Sequence, residues 1–364
     1  SEVMDNNLIR YENLRKEWLP HSDESPSSLD SENKLEKEKV AVNDHPLAFG
    51  TQGRWSGYFV DQELMNAIKN DVKRTRPEVA VFEQFTRSSV EAYNNEVNDL
   101  RLANRNCKSQ EEWLDMLASV DHPPKIDGSK KNTSLKVDIE TKLDTHRDVM
   151  ARILFIYAKE HSSIKYVQGM SDLLAPLYYT FVQDQQIRFQ SFTESDCYYC
   201  YCNLMEEVSH NFLLKLNDKD SARGSTARRK SIRDTVENEQ IKEIVRILKR
   251  IDFKLWLHLE QNSVQFELYG LKWIMCLLAQ EFTIEGVQRL WDSMLSDPDR
   301  FIYLNYLCVT IIELKREEIL KGGFAEVMMD LQKPVDVTIE QLVNRANHFL
   351  SSDAHTSWLN RNKQ

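Results

Sequence analysis

The chain has 364 residues with a net charge of −10, and its 41% hydrophobic content with seven Trp excludes a wholly disordered polymer. Ten Gly and nine Pro fall well below average usage, which argues against turn-rich β sandwiches, barrels and collagen-like repeats, so an all-α fold is expected. At roughly 150 residues per domain, the length allows two or three domains or one domain of two lobes.

Residues 1–43 read as an N-terminal segment followed by a linker, because 20–43 is rich in Ser, Asp, Glu and Lys and has few large apolar residues. A helix is expected from Asp61, a suitable N-cap, with Leu64, Ile68 and Val72 repeating every four residues and Pro77 setting its end. The stretch 100–145 has the composition of a long insertion with a short helix around 111–117. A helix over 147–160 follows, then a short turn at 161–165. The segments 166–182 and 197–216 are apolar nearly all round, the pattern of buried helices. Residues 218–237 form a basic, polar loop that divides an N-terminal lobe (44–217) from a C-terminal lobe (238–350).

Beyond that loop, Ile241, Ile244, Val245, Leu248 and Ile251 make an amphipathic stripe that breaks near Asp252. Helices at 265–281, 284–296 and 300–315 are separated by only a few residues, which implies antiparallel neighbours. The tail, 351–364, is expected to fray. No repeat of fixed period is present, so a solenoid of equal short units is disfavoured. The expected architecture is a large two-lobed multi-helix domain with short connections and two long polar insertions.

The acidic balance disfavours nucleic acid as a partner. The longest uncharged apolar stretches, 173–183 and 301–312, are well short of the roughly 20 residues that span a bilayer, so at most peripheral membrane association is expected. No secretory leader is read at the start, and the six Cys mostly lie inside apolar helical patterns, which suggests a reducing, cytoplasmic compartment. Phosphate-loop, nucleophile-elbow and zinc-helix signatures are missing, so no nucleotide, metal or other cofactor of its own is expected. Cys197, Cys200 and Cys202 include a CxxC spacing but no second pair to complete four metal ligands. Arg228, Arg229, Lys230 and Ser231 suit a kinase site or an acidic membrane patch or, more commonly, a solvated loop.

Two short patterns stand out together: Ile68-x-x-Asp71-x-x-Arg74 on the first helix, and Tyr166-Val167-Gln168-Gly169 at a helix start. The bland reading of the first is a buried Ile beside an i,i+3 ion pair worth about 0.2–0.5 kcal/mol. For the second it is a buried Tyr and a capping Gln. The alternative is chemical. Asp71 restrains a guanidinium at the helix end, and Gln168 supplies an amide that donates and accepts at once.

Together these residues resemble the two finger motifs, IxxDxxR and YxQ, of TBC-domain Rab GTPase-activating proteins. The resemblance extends over Arg54-Trp55-x-x-Tyr58-Phe59-x-Asp61, Arg152 to Met170 and Arg289-Leu290-Trp291-Asp292, hence about residues 44–350. The wording around Phe155 and Pro176-Leu177-Tyr178-Tyr179 is most similar to the member-thirteen subfamily. The family's RxxxW motif is not matched, since Arg15 and Trp18 have the wrong spacing, and with no initiating Met an N-terminal portion of the domain is expected to have been removed. The resemblance implies that the partner is a GTP-bound Rab small GTPase. It also implies that the chain acts on the Mg-GTP held by that partner, with Arg74 stabilising transition-state charge and Gln168 orienting the attacking water. Asp71, Tyr166 and Ile68 would support them. The opposing possibility is a catalytically silent helical adaptor that grips a GTP-loaded Rab.

Overall fold

The computed structural model describes residues 2–19, 54–90, 143–162, 164–183, 192–220, 227–334 and 337–361. Within them every named element is helical, as the scarcity of Gly and Pro predicts; one isolated bridge pairs Phe85 with Thr145. The first half comprises α1 (Glu2–Trp18), α2 (Arg54–Arg74), a 3-10 turn (Ala80–Glu83), α3 (His146–Glu160), α4 (Met170–Gln183) and α5 (Thr193–Asp220). The second comprises α6 (Ala227–Ile251), α7 (Phe253–Gln261), α8 (Glu267–Met275), α9 (Ile284–Leu295), α10 (Arg300–Leu314), α11 (Arg316–Ile319), α12 (Phe324–Gln332) and α13 (Ile339–Arg361).

The centre of the first half is α3, whose Ile153, Leu154, Phe155 and Ile156 are all fully buried. Thr145 caps this helix reciprocally with Asp148, satisfying free N–H groups at its start. Helices α2, α4 and α5 pack around it, and α1 docks on α5 through Tyr11, whose hydroxyl donates to Glu194 at 2.7 Å. In the second half α10 takes the central place between α6 and α13. The halves share one apolar core, and α4 meets α9 through Gln288 Nε2 donating to Thr180 Oγ1 at 2.7 Å.

Several boundaries differ from the sequence expectation. Asp61 is not an N-cap, because the helix already runs from Arg54; its carboxylate sits mid-helix and is satisfied by the Lys159 ammonium at 2.7 and 2.8 Å. The expected loop at 218–237 is helical at 218–220 and again from Ala227, where a Gly- and Pro-free run of good helix formers continues into the apolar stripe of α6. The tail does not fray after Leu350: α13 reaches Arg361, and Asp353 ties it down by accepting from Arg250 Nε at 2.9 Å, Arg250 Nη2 at 2.6 Å and the Tyr306 hydroxyl. The helix expected over 265–281 stops at Met275. The linker at 20–43, the short helix at 111–117 and most of the 100–145 insertion lie outside the described residues.

Candidate functional site

The site begins at the last turns of α2. Ile68 and Val72 are buried in the core, which fixes the rotation of the helix and sends Asp71 and Arg74 toward the start of α4. The Asp71 carboxylate is itself buried, and its Oδ2 accepts from the Tyr166 hydroxyl at 2.6 Å, the Ser171 hydroxyl at 2.9 Å and the Gly169 amide at 3.0 Å. Charge-assisted bonds of this kind are about twice as strong as neutral ones, so Asp71 is held rigidly. Burial, then the neighbouring Asp71 charge, pushes the Tyr166 phenol well above the usual tyrosine range, so it remains a donor. Thr75 Oγ1 bonds the Asp71 carbonyl at 3.0 Å and lies 2.7 Å from Ser171 Oγ, closing the network.

Arg74 is attached lightly. Its Nη2 lies 3.7 Å from Asp71 Oδ1, and its side chain is 65% exposed. The two nearby arginines are used differently. Arg76 donates to the carbonyls of Phe282, at 2.6 Å, and Ala279, while Arg147 donates to those of Val72 and Thr75 and to Glu83. Those guanidiniums are buried ties, and Arg74 is the one that faces solvent.

Gln168 sits at the tip of a short turn ahead of α4. Val167 and Met170 are buried on either side of it, and Gly169 adopts φ +105°, a conformation that L side chains rarely tolerate. The turn therefore projects one carboxamide from a fixed base. Arg74 and Gln168 line the same open cleft of about 610 Å³, which is also lined by Asp71 and Gly169 and, from the second half, by Lys272 and Gln280. Lys272 pairs with Glu281 at 2.6 Å. The cleft can thus present a guanidinium and an amide to an anionic group brought by another molecule.

The structure brings together all five residues singled out by sequence: Arg74 and Gln168 at the cleft, Asp71 and Tyr166 behind them, and Ile68 in the core beneath. Sequence reasoning missed Thr75, Ser171, Arg76 and Gln280, and quoted Gly169 in the motif without giving it a role. Ser171, one turn into an apolar run, and Gly169, just after the Gln, carried local signals; the others are recognised only through contacts distant in sequence. Cys197 is buried and Cys200 exposed, burial pushes the Cys197 thiol up and that of Cys202 to about 12, and no group of three metal-ligating side chains occurs among the described residues.

Fold and site together define an all-helical protein that carries an exposed arginine and glutamine on one cleft. The chain belongs to the Rab-GTPase-TBC domain family, whose sequence profile matches residues 89–320. That span includes Gln168 and begins after Arg74. TBC1 domain family member 13 of Homo sapiens is 29% identical over 328 residues, covering 87% of this chain and 78% of that protein. The GTPase-activating protein GYP1 of Saccharomyces cerevisiae is 27% identical over 175 residues, covering 43% and 25% respectively. The crystal structure of the Ypt/Rab-GAP domain of Gyp1p matches with a TM-score of 0.46 at 20% identity, covering 82% of each chain. No described helix is long and apolar enough to cross a membrane.

Proposed function

We propose that the chain is a GTPase-activating protein for a Rab-family small GTPase and that it supplies both Arg74 and Gln168 in trans to the GTP-bound partner. The observation that carries this reading is the placement of both groups on one open cleft, with the Arg74 guanidinium 3.7 Å from Asp71 Oδ1 and its side chain 65% exposed. Hydrolysis of GTP needs positive charge against the phosphoryl oxygens and a water held in line with the γ-phosphate. A guanidinium answers the first need with planar, fixed donors. A carboxamide answers the second, because it can accept from the water and donate to a phosphate oxygen. Asp71 faces the Arg74 guanidinium and accepts from the Tyr166 hydroxyl and the Gly169 amide, so it links Arg74 to the turn that carries Gln168. The Mg-GTP belongs to the partner, and a cytoplasmic location with recruitment to membranes through the Rab fits this role.

The test is single-turnover hydrolysis by a panel of GTP-loaded Rab proteins with the chain, with Arg74→Ala and with Gln168→Ala. Acceleration of at least one Rab, lost in both variants, supports the proposal. Binding to a GTP-loaded Rab without acceleration makes the chain a silent adaptor and refutes it.

A further inference from the structure

Behind Gln168 three segments meet and are joined pairwise. The end of α2 holds the Gln168 turn through Asp71 and the Gly169 amide, at 3.0 Å. The segment 276–282 holds the same turn from the other side: Gln280 Nε2 donates to Asp172 Oδ2 at 2.6 Å, and Cys276 Sγ lies 3.8 Å from the Gly169 carbonyl oxygen. Arg76 closes the triangle by reaching from the end of α2 to the Ala279 and Phe282 carbonyls.

The 276–282 segment is backbone-strained where it turns. Leu277 (φ 48°) and Leu278 (φ 60°) are consecutive left-handed residues, neither of a type that favours that region, and Arg76 is left-handed as well (φ 50°). Such strain persists only where the surroundings over-determine it. Here both leucine side chains are buried, Trp291 Nε1 donates to the Leu277 carbonyl at 2.9 Å, and the Leu278 amide donates to the Trp273 carbonyl at 2.9 Å. The outcome of this unusual path is that Gln280 emerges at the cleft against Asp172.

We infer that Gln280 is a positioning residue for Gln168. It acts through Asp172 in the first turn of α4, with the strained turn as its footing and Arg76 keeping that footing in register with Arg74. The second half of the molecule contributes neither finger, yet it sets where one of them points. The catalytic part of this inference rests on Gln168 acting as proposed above. A short bond from an amide to a carboxylate is charge-assisted, and small displacements of a reacting group carry large rate penalties. Gln280 is exposed, so changing it removes no core packing.

The test compares Gln280→Ala, Gln280→Glu and the double variant Asp172→Asn/Gln280→Glu. The second places two carboxylates face to face, and the double variant restores a donor opposite an acceptor with the roles exchanged. Hydrogen–deuterium exchange over residues 166–172 of the isolated chain needs no GTPase. Faster exchange there in both single variants, returning to the original rate in the double variant at unchanged melting temperature, is expected. Stimulated hydrolysis is expected to lose roughly three- to tenfold in kcat at unchanged KM, with the same recovery. Unchanged exchange in both single variants overturns the inference, as does a raised KM with kcat intact, which would make Gln280 a docking contact. If the unaltered chain accelerates no Rab, the functional proposal fails, and the exchange result by itself decides whether Gln280 holds the Gln168 turn.

Discussion

Among the described residues two buried aspartates face arginines, and they are built to opposite ends. Asp353 on α13 takes both the Nε and the Nη2 of Arg250, at 2.9 and 2.6 Å, and adds the Tyr306 hydroxyl. That bidentate geometry fixes a guanidinium and joins three helices, α6, α10 and α13. Asp71 spends one oxygen on Tyr166, Gly169 and Ser171 and leaves Arg74 a single contact at 3.7 Å. The residue types are the same; what differs is which partner the carboxylate holds firmly. In the first case the arginine is the object being fixed. In the second the loop is fixed, and the arginine is left largely exposed at the cleft.

The sharpest way to break this comparison is to delete each guanidinium. Arg74→Ala is expected to lower stimulated hydrolysis by about 10³-fold or more, the scale of an arginine finger supplied in trans, while leaving the melting temperature where it was. Arg76→Ala, two residues along, is expected to act first on stability, with any loss of hydrolysis following from the loosened 276–282 segment. Removing it leaves the Ala279 and Phe282 carbonyls without their partner and costs about 2–4 kcal/mol of stability, read as a lower denaturant midpoint. Asp353→Ala strands the Tyr306 hydroxyl and should cost about 1–2 kcal/mol by the same measurement, with stimulated hydrolysis per folded molecule unchanged.

The smallest effect concerns pH. His146 Nδ1 lies 2.8 Å from the Tyr178 hydroxyl, and burial lowers its pKa from the usual 6.5. The unfolded chain therefore binds a proton on this ring more readily than the folded one. Its contribution to stability is complete above about pH 6.5 and is lost as the pH falls through that value toward the depressed folded pKa. His146→Gln should flatten the dependence of melting temperature on pH across that window. An unchanged slope would remove His146 as its cause.

How much of this was legible in the sequence depended on the range of the interactions. The 3.6-residue spacing of Ile68 and Val72 and the break at Asp252 are local signals, and helices form where those signals stand. Asp61 misled because a helix-compatible run precedes it and a partner nearly a hundred residues away, Lys159, satisfies its carboxylate inside the helix. The 227–237 part of the expected loop misled because charge was taken for a loop, although Arg, Lys and Glu are good helix formers and that part holds no Gly or Pro. At the site, Asp71, Arg74, Tyr166 and Gln168 were readable as residue types in a pattern. Arg76 and Gln280 were not, because their partners are backbone carbonyls and a carboxylate brought near only by the fold.

The central claim is that Arg74 acts outward and Arg250 inward, and single-turnover GTP hydrolysis measures this most directly. A GTP-loaded Rab that the chain accelerates would be assayed with Arg74→Ala and Arg250→Ala side by side, each at matched folded concentration. The account predicts near-complete loss of stimulation in Arg74→Ala and full stimulation with reduced stability in Arg250→Ala. Equal stimulation by the unaltered chain and Arg74→Ala would contradict it.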